Sequence, residues 1–275
     1  MEASGGGLLS RNGKEVVFFS EIKQIEINPT ELCNLACNFC PRSTFYPNLN
    51  EHMSLDVARE IRDQMLAAKF TGVLSITGRG EPTLHPQFEQ YVSIFAGYGW
   101  KLKMHTNGKR FAHYEDFILK TFDDIHYNCY EHPPEEIAER YKWNLNVKVI
   151  YKPITSEWKD LDWTTNRAGS FRTNELPKDT TCDVIFHKMF IDIDGKYRLC
   201  CEDWKHKIVM DDIFRTNIVD YIEDSPLLKI YRRNLINGNR DMNPCINCNY
   251  SISCDKYNRK QDIDKYKKMV EMENM

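Results

Sequence analysis

What this 275-residue sequence lacks bounds its function first. It has no surplus of basic side chains: 37 Lys and Arg stand against 40 Asp and Glu, a formal net charge of -3. Nothing in that balance is built to track a phosphate backbone, so nucleic acid is not favoured as a partner. The N-terminal text, MEASGGGLLSRNGKE, has no basic segment followed by an apolar core, and no later stretch approaches the roughly 18 consecutive apolar residues of a membrane span. A cytoplasmic chain with no membrane partner is expected. What the sequence does have is ten cysteines and 41% hydrophobic residues, enough for a sizeable core. In a reducing compartment that many cysteines argue for metal or redox chemistry and against a disulfide framework.

Residues 1–19 read as a flexible lead, and the first strand is EIKQIEIN, where Ile25 and Ile27 alternate with polar neighbours. A cysteine-bearing loop follows, then a helix capped by Ser54 with Ala58, Ile61, Met65 and Ala68 on one face. The unit repeats, with strands expected at 72–77, 101–106, 124–130 and 144–151 and helical text near 113–121 and 134–143. Strands alternating with helices imply an α/β fold with a parallel sheet, closed or open, whose functional loops leave the C-terminal ends of the strands. From 152 to 181 no sixth strand is readable. At Cys182 the text changes to a hairpin turning at Asp194-Gly195, helical text at 216–236, a CINC segment and a charged tail over 258–275. Residues 20–181 and 182–257 are therefore expected to be two modules.

The densest chemistry lies in NPTELCNLACNFCPRS, where Cys33, Cys37 and Cys40 stand at C-x3-C-x2-C spacing. Three thiolates on one short loop suit three corners of a cubane iron–sulfur cluster, leaving the fourth iron free to bind something else. A zinc site completed by a distant His or Cys is the alternative. Two further segments follow in order: Gly78-Arg79-Gly80-Glu81-Pro82 after the second strand and Thr106-Asn107-Gly108 after the third.

These three segments together resemble the radical S-adenosylmethionine (SAM) enzymes. The signature of that family is the C-x3-C-x2-C loop with an aromatic residue before the last cysteine, here Phe39. The resemblance implies a partial (β/α)6 TIM-like barrel, a 4Fe-4S cluster on Cys33, Cys37 and Cys40, and SAM bound at the open iron. Reductive cleavage of SAM in that family yields a 5'-deoxyadenosyl radical. It also implies that Phe39 packs near the adenine, and that Gly78, Gly80, Glu81 and Pro82 form the segment that receives the methionine ammonium, a charge-assisted contact for a carboxylate. Thr106, Asn107 and Asn128 complete the implied cofactor contacts, whereas Cys129 beside them reads as a small buried hydrophobe.

Cys182, Gly195-x4-Cys200 and Cys245-x2-Cys248 resemble the auxiliary-cluster module called SPASM, or its shortened form, twitch. The implication is one further 4Fe-4S cluster held by Cys182, Cys200, Cys245 and Cys248 in a small β-hairpin and helix domain. The longer pattern needs another cysteine beyond Cys254, and position 258 is Asn, so Cys201 and Cys254 are left spare. A structural zinc ribbon is the alternative there. The layout resembles aminocyclitol dehydrogenases, which implies hydrogen abstraction from a small alcohol, an auxiliary cluster as electron acceptor and an external donor such as flavodoxin or ferredoxin. Peptide or protein modification is the second reading, disfavoured because a first strand near residue 22 leaves no room for a leader-gripping winged helix. A non-catalytic redox sensor is the third. His105, Tyr127, Lys152 and Arg167 are candidate substrate contacts at or beyond strand ends.

Overall fold

The structure, a computed structural model, describes residues 16–130, 134–153, 155, 166–171, 181–205, 208–250 and 260–273. Five strands pair in parallel in chain order: β1 (Gln24–Ile27), β2 (Val73–Ile76), β3 (Lys101–Thr106), β4 (Asp124–Cys129) and β5 (Val147–Tyr151). Helices α1 (Leu55–Ala67), α2 (Phe88–Ser93), α3 (Glu115–Thr121) and α4 (Glu135–Tyr141) connect them. Ser54 caps α1 as expected, its side chain accepting from the Val57 N–H, and Ala58, Ile61 and Met65 are fully buried.

After a short helix, α5 (Val184–His187), the hairpin strands β6 (Lys188–Ile191) and β7 (Lys196–Arg198) lead to β8 (Val209–Asp212). The sheet order is β5-β4-β3-β2-β1-β6-β7-β8, with β6 parallel to β1 and β7 and β8 antiparallel. Among the described residues the sixth parallel strand is thus the first arm of the hairpin, and it joins at the β1 edge. The second module therefore begins as a continuation of the first module's sheet. Gly195 turns the hairpin with φ +79°, a left-handed conformation that glycine adopts without a Cβ penalty.

The helical text at 216–236 forms two helices, α6 (Ile218–Asp224) and α7 (Pro226–Ile236). Pro226 has no N–H to continue α6, and Ser225 caps α7 by accepting from the Leu228 N–H. The charged closing segment carries α8 (Lys260–Glu273), which packs through buried Tyr266, Met269 and Val270, the Tyr266 ring stacking on Phe186 at 4.6 Å. No helix among the described residues is long and apolar enough to cross a membrane.

The sheet's two faces are chemically opposite because strand side chains alternate. Ile25, Ile27, Leu74, Ile76, Leu102, Met104 and Ile125 are buried in one core with Ile61, Tyr91 and Ile118 of the helices and Phe95 just beyond α2. On the other face the register aligns Glu26 with Ser75 and Phe190, Ser75 with Lys103, His105 with His126, and His126 with Lys148. A parallel sheet covered by helices on both faces would carry apolar residues on both. Here one face is polar, and the site is built on it.

Candidate active site

Cys33, Cys37 and Cys40 sit on the loop leaving the C-terminal end of β1. That loop folds around Arg42, whose Nε donates to the Arg79 carbonyl at 2.8 Å and whose Nη2 lies 3.3 Å from Glu31 Oε2. Asn48 fastens the first cysteine by accepting from the Cys33 N–H at 2.8 Å and donating to the Cys33 carbonyl at 2.9 Å. The three cysteines line one cavity of about 200 Å³ with Phe39, whose ring stacks on Tyr130 at 5.8 Å. Burial raises all three thiols above their ordinary range, and Cys37 is pushed up to about 12 by burial and then by Cys40 and Cys33 beside it. Three thiolates can share this space only around a strongly cationic group, a condition that an iron–sulfur cluster meets.

The opposite wall of this cavity carries Gly78, Gly80, Glu81, Thr106, Asn107 and Asn128. Pro82 instead opens the buried turn Pro82–Leu84 behind it. Gly78 has φ +130°, and a Cβ there would fall 2.4 Å from Asn28 Oδ1. Glu81 is buried and its carboxylate already committed: Oε1 accepts from the Thr83 N–H at 3.2 Å and from the Thr83 and Thr106 hydroxyls at 2.7 and 2.8 Å. Oε2 accepts from the Asn107 N–H at 2.7 Å. Burial raises the Glu81 pKa against these hydrogen bonds. The expectation that Glu81 meets an ammonium is narrowed accordingly, because Oε2 alone retains capacity, and the carboxylate chiefly ties the loop after β2 to the end of β3. The Asn128 Oδ1 atom is buried with no hydrogen-bond partner among the described residues, an acceptor that a hydroxyl-bearing group in this cavity would satisfy.

Replacing Glu81 by Gln tests this wiring. The amide oxygen can keep the Oε1 contacts, but the NH2 then faces the Asn107 N–H, donor against donor. A stability loss of about 2 kcal/mol is expected in a denaturant melt, the cost of leaving a buried donor unpaired.

A second cavity, of about 230 Å³, adjoins the first. The two share Thr77, Gly78, Arg79, His105, Arg167 and Trp204, and the second reaches on to Glu26, Asp192, Arg198, Cys200 and Cys201. Arg79 divides them: its Nη1 lies 3.0 Å from Asp192 Oδ2, its Nη2 donates to the Asp203 carbonyl at 3.2 Å, and its guanidinium lies 5.7 Å from the Tyr46 and Trp204 ring centres. Asp192 also accepts from Arg198 Nε at 2.8 Å and Asn28 Nδ2 at 3.0 Å. Sequence reasoning missed Arg79, Asp192, Trp204 and Glu26. Arg79 had a signal in its place between two glycines, and Glu26 in the inward register of β1; Asp192 and Trp204 had none.

Of the candidate substrate contacts, His105 and Arg167 line both cavities and Lys152 the first. Burial and the His126 ring 4.4 Å away drive the His105 pKa well below its ordinary value. Lys152 falls to about 8 through burial and then the like charge of Arg167. Arg167 lies 3.0 Å from Glu202 Oε1 and has φ +50°, held by a strap in which Asn166 and Asn249 bond each other's main chain. Tyr127 is a correction: strand alternation turns it away from His126 and Asn128, its ring packs on Phe111 at 5.1 Å, and its hydroxyl donates to the Gly108 carbonyl.

Cys182, Cys200, Cys245 and Cys248 line a third, small cavity of about 20 Å³ between the hairpin and α7. Burial raises all four thiols, Cys182 to about 11 and Cys245 and Cys248 to about 12. This donor set, like the first, fits an iron–sulfur cluster, whose irons would offset charge that burial opposes. Among the described residues no three His, Cys, Asp or Glu side chains are gathered closely enough to hold a single metal ion. Cys200 belongs to the walls of both the third and the second cavity. Cys201 lines only the second of these three, Cys129 is buried at the end of β4, and Cys254 lies outside the described residues.

The sequence model of the Radical SAM superfamily matches residues 27–156, and that of the iron–sulfur cluster-binding SPASM domain matches residues 182–249. The chain belongs to the radical SAM superfamily. As a radical SAM enzyme it uses a 4Fe-4S cluster and SAM, and its SPASM domain is of a cluster-binding kind. It is 23% identical over 237 residues to the S-adenosyl-L-methionine-dependent 2-deoxy-scyllo-inosamine dehydrogenase of Niallia circulans, covering 82% of this chain and 92% of that protein. The crystal structure of BtrN in complex with AdoMet and 2-DOIA superposes with a TM-score of 0.71 at 21% identity, covering 86% of this radical SAM enzyme and 97% of BtrN. Streptococcus suis SuiB bound to its precursor peptide SuiA reaches 0.51 at 16% identity, covering 84% of this chain and 70% of SuiB.

Proposed function

We propose that this radical SAM enzyme oxidises a secondary alcohol of a small cyclic polyol or amino-polyol to the ketone. The observation that carries the reading is the 230 Å³ cavity, which opens on one side to the pocket of Cys33, Cys37 and Cys40 and touches Cys200 on the other. Its volume suits a small ring. The relative named as an inosamine dehydrogenase supports the same substrate class.

Cys33, Cys37 and Cys40 would hold the SAM cluster, and Phe39, Gly78, Gly80, Thr106, Asn107 and Asn128 would line the SAM site. Cys182, Cys200, Cys245 and Cys248 would hold one auxiliary cluster. When bound, the first cluster with SAM supplies hydrogen-atom abstraction and the second supplies a one-electron sink. The chain's own task is to place the carbinol carbon between them. Arg79, fixed by Asp192 and the Asp203 carbonyl, forms the floor that both cavities share, and His105, held neutral by burial, offers a hydrogen bond without a charge. Nine cysteines free of disulfides among the described residues suit a reducing cytoplasm, where a flavodoxin or ferredoxin would supply the priming electron.

The test is anaerobic turnover of the reconstituted enzyme with SAM, dithionite and 2-deoxy-scyllo-inosamine, with carbonyl trapping and mass spectrometry. One ketone per 5'-deoxyadenosine is expected. Deoxyadenosine that rises only when a peptide is added, with no carbonyl from any cyclitol, would replace this reading with peptide modification.

A further inference from the structure

Two carboxylates line the central cavity, and their circumstances are opposite. Asp192 is consumed by Arg79, Arg198, Asn28 and the Ile193 N–H. Glu26 stands on the inward face of β1, between Ser75 on β2 and Phe190 on β6, and accepts no hydrogen bond among the described residues. Glu26 is half-buried, and the fully buried acids around the site are engaged: Glu31 by Asn28 and Arg42, Glu81 by four donors, Glu202 by Arg167. A carboxylate left without donors at the wall of a cavity has its capacity reserved for what enters the cavity.

We infer that Glu26 is the catalytic base that takes the hydroxyl proton of the substrate alcohol. The inference rests on the alcohol-oxidation reading above. The balance is complete: the carbinol C–H hydrogen atom goes to the SAM-derived radical, and the O–H proton goes to a Glu26 carboxylate oxygen. The electron left on the ketyl would be taken up by the auxiliary cluster that Cys182, Cys200, Cys245 and Cys248 would hold, as the C–O bond becomes C=O. Removing the proton makes the ketyl a much stronger reductant, which is why a base belongs between the two clusters.

The surroundings tune Glu26 for this. Burial raises its pKa above the ordinary carboxylate value, against the cations Lys188 on β6, Arg167 on the strap and Arg79 after β2, and Glu202 raises it further. Asp192, Arg198, His105, Cys200 and Cys201 complete the titratable and charged groups of the same cavity. A carboxylate raised toward neutrality is a better base than one at its usual pKa while still ionised at the working pH. Ketone formation therefore rises with pH through the Glu26 pKa, because the base acts only when ionised.

The experiment compares cluster-loaded wild type, Glu26→Gln and Glu26→Asp with carbinol-deuterated 2-deoxy-scyllo-inosamine. It counts both ketone and deuterium transferred into 5'-deoxyadenosine. The wild-type ratio of ketone to transferred deuterium is expected near one, and Glu26→Gln should lower it roughly tenfold or more, within the range that general bases contribute. Glu26→Asp should recover part of the ratio and shift the ascending limb of the pH profile. Infrared difference titration of the loaded enzyme without substrate should show a carboxyl stretch that titrates above the ordinary glutamate range and is missing from Glu26→Gln. An unchanged ratio, ketone and deuterium transfer falling in parallel, or a carboxyl spectrum that Glu26→Gln leaves unaltered would each overturn the assignment. A wild type that oxidises no alcohol would count against the parent reading, and the infrared titration would still decide whether Glu26 is a poised base.

Discussion

Replacing Cys33, Cys37 and Cys40 together by Ala is expected to halve the iron of the reconstituted protein, from about eight atoms per chain to about four, and to abolish 5'-deoxyadenosine formation from SAM. The three thiols share one cavity, and burial disfavours their thiolates in the absence of a cation, so removing them removes the donor set of one cluster as a whole. The other four cysteines line a separate cavity and keep their own iron. The loop should remain folded, because Arg42 and Asn48 fasten it through main-chain carbonyls, a carboxylate and the Cys33 amide, none of which involves a sulfur. Iron and inorganic sulfide analysis, with deoxyadenosine counted by chromatography under dithionite, measures both effects. A variant that still holds about eight irons would show that the first cluster sits elsewhere, and zinc in the wild type would remove both clusters from the argument.

The sequence showed the parts of this enzyme that are local. Period-two alternation placed β1, the repeating strand–loop–helix unit placed β2 to β5 within a few residues, and the C-x3-C-x2-C loop, the GRGEP segment and TNG fell at the ends of the strands that now set them around one cavity. The two cysteine sets line separate cavities, but only C-x3-C-x2-C and the Cys245-x2-Cys248 pair are local in the text; Cys182 and Cys200 were grouped with that pair by resemblance to the auxiliary-cluster pattern. What stayed hidden depends on long-range pairing. The β6 strand pairs with β1 across some 160 residues of sequence, a register that no local pattern encodes. That pairing brings Phe190 beside Glu26 and Asp192 beneath Arg79, so the central cavity could not be drawn from the text. Tyr127 was misplaced for a different reason: it stands one residue from two inward-facing side chains, and a strand turns successive residues to opposite faces. The charged C-terminal text concealed α8 because its buried stripe is only Tyr266, Met269 and Val270, at the i, i+3, i+4 spacing, amid Lys, Asp and Glu.

Gly80→Ala should cost at least about 100-fold in SAM affinity while sparing most of the fold. Space is the reason: a Cβ at position 80 would fall 2.2 Å from the Thr30 carbonyl oxygen and 2.5 Å from that of Leu32. Both are main-chain atoms, so neither can rotate aside as a side chain would. The Glu81 N–H donates to the same Leu32 carbonyl at 2.8 Å, and this bond fixes the distance between the loop after β2 and the loop that carries Cys33. An added methyl must push these two loops apart or break that bond, and either moves Cys33 relative to Gly80, Glu81 and Asn107, which face it across the cavity. Displacement of about 1 Å in a positioned constellation is worth roughly 100-fold. The control is Gly99→Ala, where a Cβ would meet nothing within 4 Å. Titration calorimetry of SAM on the cluster-loaded proteins, with a melting curve for each, separates the outcomes. Wild-type affinity in Gly80→Ala would mean that the two loops have slack, and that the close approach of Gly80 to Thr30 and Leu32 has no part in placing SAM.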